Sequence, residues 1–512
     1  MMKRNHQCLI FISALFLGVL VSVPPVTALS VEPLGVEDLY DFDPTTNIVV
    51  TVETQKIRSL EKFDNHIPTI EKIDWFSDPD FYVKIICNGE EQQSDIWMNQ
   101  KYIDDPWSVS FDVPDDEEAV NITIQLWDWN PGADRLCDIS TAYYDDNLRD
   151  SYDVELQYSI ATGHWTGDDL CESFPWVGDV SGYGRLNGCD DGSVLMRERD
   201  CELWFEISQN DPDGDNIPYW IETNWYHTDP EVNNSDDDND GDGVPLWWEH
   251  TWGHAMISHE GGLYHGWIFN DTVYDNHTEI DFDNDGLNNY EEYLTSQWGS
   301  DPYRPDIFVE MDRMAESPDG FESNLPEGSK ELLRTVFNRR NIVFHLDDGC
   351  MGGQDIIPFE EFVERPDLEE MYQDYFLHNN PDHWRRGIFR YGVVVFQADV
   401  NGYLFQPDAY QISANGMETK VFADIQSKRD TVYASAYMHE LGHSLGFTPI
   451  GGHDLDSYYP WQFGWWKWRP YKSVMNYGYM YTMVDYSDGS RQRNDFDDWQ
   501  RMDLSWFDEQ WF

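Results

Sequence analysis

Basic residues are scarce in this chain. Lysine and arginine number 32 against 97 aspartates and glutamates, giving a formal net charge of −65 over 512 residues. Such a field repels phosphate backbones and anionic membrane surfaces, so no nucleic-acid partner is expected. It favours bound cations. Long apolar runs are missing beyond the N-terminus, so no transmembrane anchor is expected after residue 28. Cysteine is sparse too. There are seven, none in a C-x-x-C pair, which argues against a cysteine zinc site.

Aromatic side chains are not lacking. They make up 15% of the chain and need cores to enter, which argues against disorder. Lys3 and Arg4 precede an apolar run over residues 8–23, and Val26, Thr27 and Ala28 supply small residues for cleavage. Residues 1–28 therefore read as a signal peptide, with an uncleaved anchor as the alternative. The expected mature protein is secreted. Cys87, Cys137, Cys171, Cys189, Cys201 and Cys350 then remain, an even number that points to disulfide bonds. The mature length suggests roughly three domains. We place them at 29–208, 209–302 and 303–512.

Residues 29–208 read as an all-β sandwich. Short β-branched and aromatic runs at 47–52, 82–87, 109–113, 122–127, 154–160 and 202–207 are separated by turn residues. Two acidic loops punctuate them. One holds Asp74 and Asp80; the other holds Asp128, Asn130, Asp134 and Asp138. These loops resemble the first and third calcium loops of C2 domains. The resemblance implies a C2-like fold, weaker calcium sites and association with a cell surface. Asn130 stands where that family more often has Asp. The bland alternative is a pair of solvated acidic loops.

Residues 209–302 carry a stronger pattern. Asp211, Asp213, Asp215 and Glu222 occupy places one, three, five and twelve of a 12-residue loop. Asp238, Asp240, Asp242 and Glu249 repeat it, as do Asp281, Asp283, Asp285 and Glu292. Place six is Gly243 and Gly286 in the later copies and Asn216 in the first. Place seven is always apolar: Ile217, Val244 and Leu287. Alternate carboxylates, a sharp turn and a terminal bidentate Glu are what Ca2+ requires. The copies resemble thrombospondin type 3 and dockerin repeats, which implies structural calcium.

From residue 303 the pattern turns to α/β. Strands are expected at 306–311, 341–346, 391–397 and 403–412, with helices at 330–340 and 430–447. The last helix contains His439-Glu440-Leu441-Gly442-His443, followed by Gly446. Histidines four apart share one helix face and suit Zn2+, with Glu440 beside the metal as general base. Ser473-Val474-Met475-Asn476-Tyr477 has the form of a Met-turn. Together these residues resemble the metzincin metalloproteases. That implies a zincin catalytic domain, Met475 beneath the metal, Tyr477 as an extra ligand or an oxyanion donor (or a packed core tyrosine), and hydrolysis of protein or peptide substrates.

The family places its third ligand where this chain has Pro449, which cannot ligate. His453, or alternatively Asp454, is expected to serve after a four-residue detour through two glycines. The aromatic run 461–468 reads as core or as a substrate pocket, and 495–502 as a closing helix. The leading expectation is a secreted, calcium-stabilised zinc metalloendopeptidase. Its rival is a calcium-dependent surface-binding protein with an inactive protease-like domain.

Overall fold

The structure is a computed structural model. It describes residues 47–61, 73, 77–141, 152–169, 184–190, 199–259, 262–269, 271–422, 425–491 and 493–507. The expected signal peptide, Asp74 and Cys171 lie outside them. Eleven strands build the N-terminal part: β1 (Val49–Ser59), β2 (Phe81–Cys87), β3 (Glu90–Gln93), β4 (Tyr102–Ile103), β5 (Trp107–Asp112), β6 (Ala119–Asp128), β7 (Arg135–Leu136), β8 (Val154–Ser159), β9 (Trp165–Gly167), β10 (Arg185–Asn187) and β11 (Cys201–Gln209). One sheet runs β10-β11-β1, with β4 and β5 along the far edge of β1. The other runs β3-β2-β6-β8-β9, with β7 on β6. Val50, Val52 and Leu203 of the first sheet share one core with Val83, Ile124 and Leu156 of the second, so the two form a sandwich.

Alternation explains the strands. On β1, Val50, Val52 and Thr54 are buried; after the register shift between Thr54 and Lys56 the buried set becomes Ile57 and Ser59. One extra residue swaps which face each side chain takes.

The expected disulfides are not formed: no described cysteine is joined to another. Cys87 faces Glu90 and Ile122 across its ladders. Cys189 Sγ donates to Asp200 Oδ2 at 3.3 Å, and Cys350 Sγ donates to the Leu346 carbonyl at 3.6 Å. Cys137 and Cys201 are both buried, and burial with Cys137 nearby pushes the Cys201 thiol well up.

The calcium-loop segment is not a free spacer. Ile217, Trp220 and Leu246 enter the sandwich core, whereas Leu287 enters a core of the C-terminal part. Between them Val244, Trp248, Trp252, Ile268, Phe269 and Tyr303 form a small core of their own. A hairpin of β12 (His254–His259) and β13 (Gly262–Trp267), not foreseen from sequence, sits in this segment.

The C-terminal part holds a mixed sheet of β14 (Asp306–Met314), β15 (Val343–Asp347), β16 (Ile356–Ile357), β17 (Phe389–Val395), β18 (Gly402–Gln406) and β19 (Ala409–Ser413). Its order is β15-β14-β17-β19-β18, all parallel except the edge strand β18. β15 and β17 are buried along their whole length, as a sheet covered on both faces requires. The 403–412 run is two strands, because Pro407 interrupts the ladder and buried Asp408 accepts from the Tyr372 hydroxyl at 2.8 Å. The closing helix at 495–502 is only one turn, Trp499–Arg501. Asp498 there is buried and accepts from the Tyr471 hydroxyl at 2.8 Å. Among the described residues no helix is long and apolar enough to cross a membrane.

Buried polar groups tie the sandwich to the C-terminal part. Glu202 on β11 accepts from Arg304 at 2.6 Å and from Asn338 at 2.5 Å. Arg304 is 1% exposed. Glu202→Ala would strand that guanidinium, and we expect a loss of about 3–5 kcal/mol in thermal or urea unfolding.

Candidate active site and metal centres

The helix Gln426–Ser444 packs its apolar face on the mixed sheet through Val432, Ala436, Tyr437 and Leu441. It ends because Gly446 adopts φ +79°. The Phe447 N–H then reaches back to the Gly442 carbonyl at 3.0 Å, closing a left-handed C-terminal turn. That turn sets the Phe447 carbonyl 2.9 Å from His443 Nδ1. His439 Nδ1 lies 2.8 Å from the Val474 carbonyl. In both rings Nδ1–H is the donor to a backbone oxygen, which leaves each Nε2 lone pair free to face the same space.

His453 completes the group. Gly452, at φ +74°, lies so close to Asn476 that a Cβ there would meet Oδ1 at 2.6 Å. Its carbonyl accepts from the Tyr477 N–H at 2.9 Å. The detour past Pro449 is thus pinned to the Met-turn, and His453 Nε2 comes within 3.1 Å of His439 Nε2. The ring centroids of His439, His443 and His453 are 5.0, 5.0 and 5.1 Å apart. Asp454 is occupied otherwise: its Oδ1 accepts from Asp456 N at 3.1 Å and Ser457 Oγ at 3.0 Å.

Burial, with His443 and His453 nearby, holds the His439 imidazole well below its ordinary pKa. Burial lowers His443, and burial with His443 lowers His453 to about 4. All three are therefore neutral at pH 7, the form that binds a metal. Glu440 is buried beside them, and burial raises its carboxyl to about 8. Gly402 of β18 lies against it; a side chain at 402 would collide with the carboxylate. Met475 Sδ packs under Gly442, where a Cβ would meet it at 2.7 Å. The Tyr477 ring stands 4.2 Å from His453 and stacks on Tyr458 at 4.8 Å. Burial, Tyr458 and Glu440 push its hydroxyl up to about 12, so it remains a proton donor.

The aromatic run is neither core nor enclosed pocket. Trp461, Phe463 and Trp466 are 78%, 79% and 57% exposed, while Trp468 lies against Gly451.

The three acidic loops share one backbone form. Places four and six are left-handed in each: Gly214 and Asn216, Gly241 and Gly243, Asn284 and Gly286. Asn216 substitutes for glycine because asparagine tolerates that region. The place-one carboxylates of Asp211, Asp238 and Asp281 accept from the place-six N–H at 2.6, 3.1 and 3.2 Å. Those of Asp215, Asp242 and Asp285 accept from place seven at 2.9, 3.0 and 2.7 Å. Each also accepts from a backbone N–H further along the chain, at Asn234, Asp275 and Asp306.

Oxygens remain over in every loop. Asp213, Asp240, Asp283, Glu222, Glu249 and Glu292 all hold buried oxygens without a hydrogen-bond partner. Burial raises Asp213 and Asp240 to about 6, Glu222 to about 7 and Glu249 to about 8. Sequence reading missed two neighbours that carry no motif. His277 abuts the second loop, and Asp306 adjoins the third, its buried carboxyl 2.6 Å from His345 Nε2.

The C2-like loops differ. Asp128 Oδ2 accepts from Asn130 Nδ2 at 2.7 Å and Asp80 Oδ1 from Asn99 N at 2.7 Å. Asp134 accepts from the Tyr82 hydroxyl at 3.0 Å, and Asp138 from Ser140 N at 3.1 Å. At least one oxygen of each is engaged by the protein itself.

No protein-family model matches the chain, and none of the curated proteins does. Among solved structures it is similar to a C2 domain at 11% identity, covering 31% of this chain and 98% of that one, with a TM-score of 0.17. A C2 domain of plant Extended Synaptotagmin 1 is similar at 12% identity, over 31% and 95%, TM-score 0.17. A C2 domain protein from Ramazzottius varieornatus follows at 11%, over 34% and 90%, TM-score 0.19.

Proposed function

We propose that this chain is a secreted zinc endopeptidase, stabilised by calcium in its acidic loops. The observation that carries the reading is the convergence of three neutral imidazoles beside a buried glutamate. The donor set fits zinc: three nitrogens, each of the two helical rings fixed by a backbone carbonyl. When bound, zinc lowers the pKa of water to about 7 and polarises a carbonyl.

The chain's own residues supply the rest. Glu440 accepts the proton of the attacking water and returns it to the leaving amine. The Tyr477 hydroxyl offers a hydrogen bond to the developing oxyanion. β18 pairs only with β19 among the described residues, and its Gly402 touches Glu440. An extended peptide added along that edge would lie beside the general base.

The ligand set makes a sharp distinction. His453→Ala should weaken zinc binding by more than the roughly 10–100-fold that loss of an outer-shell partner costs. Asp454→Ala should leave it nearly unchanged. Zinc content after dialysis against a graded chelator reads both. Equal retention by the two variants would show that His453 is no ligand.

A further inference from the structure

The second acidic loop differs from the other two in carrying a nitrogen donor. We propose that it is a mixed nitrogen–oxygen site for a divalent transition metal of the zinc class, held by His277 Nε2 with carboxylate oxygens of Asp242 and Glu249. The inference rests on reading residues 211–292 as cation loops and is independent of the peptidase reading.

The three residues arrive from three places. Asp242 is place five of the loop, Glu249 lies on the helix Leu246–Gly253, and His277 opens the single turn His277–Glu279. One ligand atom from each lies within 4.8 Å of the others. Nε2 is 3.0 Å from Asp242 Oδ2 and 3.6 Å from Glu249 Oε1. Both contacts fall within ion-pair distance, yet neither Nε2 nor either Glu249 oxygen is in hydrogen-bonding geometry with any partner. Glu249 is 0% exposed and His277 1%. Polar atoms this deep are normally satisfied, so a shared cation accounts for several of them at once.

The ring is fixed in place. Trp248 and Phe269 stand edge-on to it at 5.7 and 5.3 Å and close the site to water. His277 Nδ1 lies 3.2 Å from Nδ2 of the buried Asn289 amide, whose oxygen is left without a partner. Which end of that amide faces the ring is an assignment from the network. With the oxygen turned to Nδ1–H, Nε2 presents its lone pair to the two carboxylates, as outer-shell partners of ligating histidines arrange it.

The other loops have no such group. Glu222 is met by Thr228 and Asn234, and Glu292 by Ser300. Those are oxygen and amide neighbours suited to calcium, which takes six to eight hard oxygens. Imidazole instead favours zinc and its neighbours in the first transition row.

The test uses the full chain carrying His439→Ala and His443→Ala, stripped of metal and dialysed against zinc in excess calcium. Metal is counted by mass spectrometry. About one equivalent of zinc should remain, and adding His277→Gln should weaken it by at least roughly tenfold. Cobalt in place of zinc should give visible d–d absorption that His277→Gln abolishes. Two results would overturn the proposal: no zinc and no cobalt band in the double variant, or unchanged zinc after His277→Gln in protein whose circular dichroism is intact. Calcium retained by the first and third loops in those cases keeps the loop reading standing. Calcium absent from all three would sink that reading and this proposal together.

Discussion

Glu440→Gln should lower peptide hydrolysis by roughly 100- to 10,000-fold while zinc stays bound. The substitution keeps the side chain's shape and removes only its capacity to take a proton. Glu440 is not one of the three converging rings, so the metal count should not change. Its surroundings are set for the role. Burial raises the carboxyl to about 8, and Gly402 leaves room for it at the edge strand. The comparison with His443→Ala separates chemistry from metal loss: that variant should lose activity and zinc together. Hydrolysis of a denatured protein, followed by release of new amino termini, measures both. Activity persisting in Glu440→Gln would remove the general base from the mechanism and revive the surface-binding alternative.

Removal of calcium should lower the melting temperature by well over about 10 °C. A site filled at about 1,000 times its Kd stabilises by ~4 kcal/mol, and each kcal/mol shifts a domain of this size by about 2–4 °C. The loops occupy positions where unfolding spreads. The first supplies Ile217 to the sandwich core and the third supplies Leu287 to the C-terminal core. Asp285 Oδ2 also holds the N–H of Asp306, the first residue of β14. EGTA, with zinc replenished, should therefore loosen the C-terminal part as well as the loops.

The pH dependence has a definite sign. In the calcium-free chain burial raises Asp213, Asp240, Glu222 and Glu249 to between about 6 and about 8, and pushes Asp283, Asp285 and Glu292 well up. Unfolded carboxyls sit near about 4. The folded calcium-free chain thus holds more protons than the unfolded one, and its stability should fall as pH rises from about 4 through about 8. Calcium should matter most at the alkaline end. Melts in EGTA at pH 5 and pH 8 check this, and equal melting temperatures would contradict it.

Local pattern made much of the fold legible. Alternating apolar residues located β2, β6, β8 and β11 to within a few residues and only the first part of β1, which runs on to Ser59 past its register shift. The 12-residue spacing located the three loops, since their turns and alternating carboxylates are local. What stayed hidden depends on contacts distant in sequence. His277 and Asp306 join their loops through tertiary folding and carry no spacing signal. The choice of His453 over Asp454 turns on Gly452 meeting Asn476 and on Asp454 capping its own turn, neither of which a ligand-chemistry argument contains. Even cysteine number says nothing of pairing, and Cys87, Cys189 and Cys350 each face a partner other than sulfur.

The most direct measurement is anomalous diffraction at the zinc edge from crystals of the full chain grown with zinc and calcium. The expected result is a peak about 2.0–2.1 Å from Nε2 of His439, His443 and His453, with Asp454 still turned to Asp456 and Ser457. No zinc peak among these three rings, or one ligated by Asp454 in place of His453, would contradict the assignment on which the proposed chemistry stands.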